Sequence, residues 1–122
     1  MNDRELLKLA AKAAGYCAKG WVNNDLVVCN IDSPSEYYDH FRWGPLNDDG
    51  DALRLAVKLN LHIAIDAESA GAITVEWDFN EGGGSEQSVE ERTPIGGDDY
   101  AATRRAIVRA AAEIGRNMED AE

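Results

Sequence analysis

Asp66, Glu76, Asp78 and Glu90 are the residues of this chain best suited to chemistry. Two or three carboxylates converging on one magnesium ion can activate water for hydrolysis, as in nuclease-like enzymes. These acids fall in segments where polar and apolar residues partly alternate, as in Ile73-Thr74-Val75-Glu76-Trp77-Asp78-Phe79. Alternation at period two sends one set of side chains to the core and the other to water. An exposed acidic sheet face accounts for them without a metal. A small metal-dependent hydrolase using carboxylates of this hairpin is carried as the alternative, and no catalytic residue, metal ligand or cofactor is assigned.

The remaining candidates have simpler explanations. His40 follows Asp39, and a His beside an Asp can act as a general base, but no nucleophile or orienting group accompanies it. It reads as a loop dipeptide. His62 begins a strand among apolar neighbours and reads as structural. Asn47-Asp48-Asp49-Gly50-Asp51 invites a calcium loop. With Gly50 in the sixth place, however, the first is Pro45 and the twelfth Ala56, neither with a side-chain oxygen. Gly82-Gly83-Gly84 lacks the Lys-Ser or Lys-Thr of a phosphate loop and is flanked by Glu81 and Glu86. Arg104, Arg105 and Arg109 could touch nucleic acid, but a solvated helix face that offsets acidic strands explains them as well. Cys17 and Cys29 form no Cys-x-x-Cys motif. They are expected as reduced, partly buried thiols; a hairpin-spanning disulfide or a thiol pair in a metal site is the sharper alternative.

The elements that must position these residues are legible from periodicity. A helix is predicted from about Asn2 to Ala14, with Leu6, Leu9, Ala10, Ala13 and Ala14 on one side, Asn2 or Asp3 capping its start and Gly15 ending it. Tyr16 to Ile31 reads as a hairpin turning at Asn23-Asn24-Asp25. Asp32 to Asn47 reads as a loop. A second helix is predicted from about Asp48 to Leu59, with Leu53, Ala56, Val57 and Asn60 as its apolar stripe, widened by Leu55 and Leu59. Leu61 to Ala67 and Ala72 to Phe79 read as strands joined around Ser69-Ala70-Gly71. Glu81 to Gly84 reads as a connector and Ser85 to Arg92 as an edge strand with Val89 inward. A last helix, capped by Asp98 or Asp99, runs to about Met118 and buries Ile107, Ala110, Ala111, Ile114 and Met118. The tail from Glu119 to Glu122 is expected to fray. The order predicts a single α+β domain over residues 1–122: an antiparallel sheet (two hairpins or a meander) packed by three amphipathic helices. Two layers are favoured, and a three-layer sandwich is the alternative.

Composition bounds the function. The 122 residues are 44% hydrophobic, enough for one domain with a real core. The N-terminus carries charges of both signs, and no run approaches the roughly 18 apolar residues of a membrane span. The expected location is the cytoplasm. The net charge is -11, and the stretch from Asp66 to Asp99, with ten acidic residues and one basic residue, carries -9 of it. Such a chain repels nucleic acid and anionic lipid and attracts basic protein surfaces. Asp98 and Asp99 are better read as helix caps and Glu81 falls in the connector, and the candidate partner-binding set is Asp66, Glu68, Glu76, Asp78, Glu86, Glu90 and Glu91. The loop before the second helix adds Tyr37, Tyr38, Phe41 and Trp43. Phe41 and Trp43 are expected to pack the loop; Tyr37 and Tyr38 remain open as partner contacts, since aromatic residues anchor interfaces.

Three segments, in order, carry a family resemblance: Asp3-Arg4-Glu5-Leu6-Leu7, the piece from Trp43-Gly44-Pro45-Leu46-Asn47 through Asp51 to Val57, and the Ala-rich end from Tyr100 to Ala112. Together they resemble small bacteriophage and prophage proteins grouped as the phage alpha-beta-alpha sandwich domain. The resemblance implies a helix-sheet-helix sandwich and transfers no catalytic signature. The segment from Asp66 to Gly97 matches no part of it. The expectation is a non-enzymatic phage or prophage accessory protein in the host cytoplasm. It would bind the basic surface of a host protein, such as a nucleic-acid-binding one, as an anti-CRISPR-like counter-defence inhibitor that imitates DNA. A third reading is that acidity serves solubility alone.

Overall fold

Each helix starts where a short polar side chain can accept from free backbone amides. The structure is a computed structural model and is described for residues 2–30, 40–66, 72–78, 86–93 and 98–120. Helix α1 (Asp3–Ala14) is capped by Asn2, which accepts from the Glu5 N–H at 2.9 Å. It ends at Gly15, whose φ of 81° is the left-handed conformation that glycine adopts without strain. Asp48 caps helix α2 (Asp49–Lys58) by accepting from the Asp51 N–H at 2.8 Å. Asp98 caps helix α3 (Asp99–Asp120) by accepting from Tyr100 and Ala101.

Helices α1 and α3 pack together through small residues. Ala10, Ala11 and Ala14 of α1 and Ala106, Ala110 and Ala111 of α3 are all buried. Small side chains let two helix backbones approach closely. At Gly115 the approach is tight enough that an added Cβ would overlap the carbonyl oxygen of Leu9. Arg105 on α3 also donates to Asp3 on α1 at 3.0 Å.

The α+β class stands, and its strands divide into two three-stranded antiparallel sheets. In the first, β1 (Tyr16–Val22), β2 (Asp25–Asn30) and β3 (Phe41–Trp43) lie in that order. The hairpin turns at Asn23 and Asn24, with Asn23 at φ 57°, and Asp25 already belongs to β2. Strand β3 lies inside the segment expected as loop. Three residues are too few to show alternation, and only pairing with β2, Leu26 opposite Trp43, defines them. Trp43 is buried as expected, whereas Phe41 is exposed and meets Tyr16 edge-on at 5.4 Å. The second sheet is the meander β4 (His62–Asp66), β5 (Ala72–Asp78) and β6 (Glu86–Arg92), with β5 central. Helix α1 packs on β1 and β2, and α3 packs on β5 and β6. Their buried side chains form one apolar cluster.

Two apolar stripes differ from expectation. Helix α2 buries Ala52, Leu55 and Ala56, while Leu53 and Val57 are 62% and 72% exposed. Its buried face is rotated from the predicted stripe, because α3 meets α2 on the alanine side. Met118 on α3 is likewise exposed. The connections around Ser69-Ala70-Gly71 and Glu81 to Gly84, and the tail residues Ala121 and Glu122, lie outside the described residues.

Candidate partner-binding face

Directly opposite residues of paired strands share a face, so register sorts the acids. Ile63 pairs with Val75 and Val75 with Val89; Ile65 pairs with Ile73 and Ile73 with Glu91. This face carries buried Ile73, Val75 and Trp77 and packs on α3. The other face takes the alternate positions. His62, Glu76 and Ser88 form one cross-strand row, Ala64, Thr74 and Glu90 a second, and Asp66, Ala72 and Arg92 a third; Asp78 pairs with Glu86. The described side chains of His62, Ala64, Glu76, Ser88 and Glu90 are exposed.

Five acidic positions, 66, 76, 78, 86 and 90, therefore belong to one sheet face by register, with His62 and Arg92 as its basic positions. Neighbouring strands stand about 4.8 Å apart and alternate residues about 6.8 Å apart, so these positions form a grid. Glu76 has no ion-pair partner among the described residues. Glu90 meets Arg92 at 3.5 Å, with both side chains at least half exposed, a pairing that water screens strongly.

Glu91 is separated from this set. It stands on the helix-facing side, 2.7 Å from Arg109 Nη1 and 3.5 Å from Arg105 Nε. Arg109 also donates to the Glu90 carbonyl oxygen at 2.8 Å. Glu91 thus anchors β6 to α3. Glu68, Tyr37 and Tyr38 lie outside the described residues. The arginines expected on a solvated helix face are tied down: Arg104 donates to the Leu46 carbonyl oxygen at 2.9 Å and to Asp49 at 2.6 Å.

The calcium-like acids are engaged around the start of α2. Asp51 accepts from the Gly44 N–H at 3.0 Å and from Arg54 at 2.7 Å. That hydrogen bond to Asp51, and then its charge, raise the Arg54 pKa above its ordinary value. Among the described residues no three of His, Cys, Asp and Glu come together as a metal site. Cys17 and Cys29 are free thiols, the first exposed and the second buried.

One feature escaped the sequence. A groove of about 470 Å³ lies between α2, β4 and the start of α3, lined by Leu53, Ile63, Ile65 and Tyr100 among others. Leu53 lines it, although its place in the apolar stripe of α2 reads as core from the sequence. Among the described residues no helix is long and apolar enough to cross a membrane. No protein-family model, curated protein or solved structure matches this chain.

Proposed function

We propose that this protein is a non-enzymatic binder that engages a basic, nucleic-acid-binding surface of a host protein through the outer face of β4, β5 and β6. The observation that supports this reading is the placement of five acidic positions on one sheet face, with Glu76 and Glu90 exposed and Glu76 in no ion pair among the described residues. A grid of carboxylates on a rigid sheet presents negative charge as a nucleic-acid backbone does, and attracts the surfaces that bind such backbones. The resemblance to small phage and prophage proteins supplies the setting: a counter-defence inhibitor of the anti-CRISPR type, imitating DNA in the host cytoplasm.

Capture of host proteins from lysate tests it. Proteins retained by the wild type should be released by added duplex DNA and by rising salt, because exposed charges are screened beyond about 8 Å at physiological ionic strength. The double variant Glu76→Gln/Glu90→Gln should retain much less. Retention indifferent to DNA, salt and both substitutions sinks the reading.

A further inference from the structure

Among the described residues the two sheets present four edges, β1, β3, β4 and β6. Exposed edges invite pairing with another chain, and proteins blunt them with bulges, charges or short length. Three of these edges are blunted. Strand β1 has a register shift between Ala18 and Gly20, with Lys19 at the irregularity. Strand β3 is three residues long. Strand β6 carries Glu86, Glu90 and Glu91. Strand β4 has no bulge, and its one acid, Asp66, stands at its end. Its five residues pair with β5 without a break, and its centre is Ile63-Ala64-Ile65.

Those isoleucines are on the wrong side of the water line for a finished monomer. They share the helix-facing side of the sheet with Val75 and Ile73, which are 0% and 1% exposed, yet Ile65 is 61% exposed. Beside them, along the groove, stand Leu53 and Tyr100, the latter 73% exposed, with Val57 one turn further along α2. A contiguous apolar surface of this kind marks an interaction site.

We propose that β4 pairs antiparallel with β4 of a second copy of this chain, about a two-fold axis at Ala64, joining the meanders into one six-stranded sheet. The strand is self-complementary in this register. Ile63 falls opposite Ile65 of the second copy, and His62 falls opposite acidic position 66, with each contact made twice as two-fold symmetry requires. The exposed apolar residues of α2 and α3 from both copies then meet below the joined strands. The acids do not oppose this. The closest acidic positions of the two copies, 66 and Glu76, fall in one row two strand spacings, about 10 Å, apart with His62 between them, beyond the screening length of about 8 Å.

This inference does not rest on the acidic face as a partner site, and the two respond oppositely to salt. Each copy carries -11, so screening eases the approach of two copies while it weakens binding to a basic partner. Sedimentation of the full chain across micromolar concentrations should show a monomer-dimer equilibrium that salt strengthens. Ile65→Lys, at an exposed position, should weaken it at least about tenfold with an unchanged circular dichroism spectrum. Ala64→Cys should cross-link two copies under oxidation, since residue 64 meets itself at the axis, whereas Ile63→Cys and wild type treated alike should not. A monomer at every concentration overturns the proposal. A dimer indifferent to Ile65→Lys, or one in which Ile63→Cys links as readily as Ala64→Cys, overturns it equally.

Discussion

Cys17 on β1 stands directly opposite Cys29 on β2 in the antiparallel register, both as free thiols. Opposed residues on antiparallel strands have Cβ atoms about 4.5–5.5 Å apart, close to the span of a disulfide. Exposed Cys17 can attack an added low-molecular-weight disulfide, releasing one thiol, and Cys29 can then displace the second. Two protein thiols are oxidised and the added disulfide is reduced. Mass spectrometry should find a loss of two hydrogens within a single chain, and the linked form should gain up to about 3 kcal/mol of stability. A Cys17→Ser variant that forms the same two-hydrogen product would refute the pairing.

Gly115→Ala should destabilise the protein although alanine favours helix. The helix gain is about 1 kcal/mol, but the new Cβ meets the Leu9 carbonyl, a backbone atom that cannot step aside without moving α1. A net loss of about 1–3 kcal/mol is expected in urea unfolding. Arg116→Ala, at a nearby exposed position, serves as the comparison and should change little.

On α2 the two leucines should separate cleanly. Leu55→Ala empties a site that is 2% exposed and should lose about 2–5 kcal/mol. Leu53→Ala should change stability by less than about 0.5 kcal/mol in dilute protein. Thermal or urea unfolding of the two variants, measured side by side, reads this directly.

Glu90 and Glu91 are adjacent in sequence and should behave differently. Glu91→Gln removes the carboxylate between Arg105 and Arg109 and should cost about 1 kcal/mol of stability. Glu90→Gln should leave unfolding unchanged and reduce retention of basic partners. Urea titration and lysate capture on the same two proteins check both halves.

The elements were legible where local chemistry decides them. Asn2 and Gly15 bracket α1, Asp48 and Asp98 cap α2 and α3, and alternation marks β5. What stayed hidden depends on distant partners. Phe41–Trp43 becomes a strand only because β2 lies beside it. Leu53 and Val57 looked like core because a helix records an apolar stripe without recording whether anything covers it. The candidate face was half legible. Charge and alternation pointed to β4–β6, but the exclusion of Glu91 required knowing that α3 brings two arginines to that side.

In the second sheet the register has a simple arithmetic. Odd-numbered positions of β4, β5 and β6 share the face that packs on α3, and even-numbered positions share the outer face. The core and the outer surface are thereby written on alternate letters of the same three strands. Replacement at Ile73, Val75 or Trp77 removes buried core side chains, while exposed Glu76, Ser88 and Glu90 can change without disturbing that core. Substitutions can therefore accumulate on the outer surface of the meander while its fold is kept.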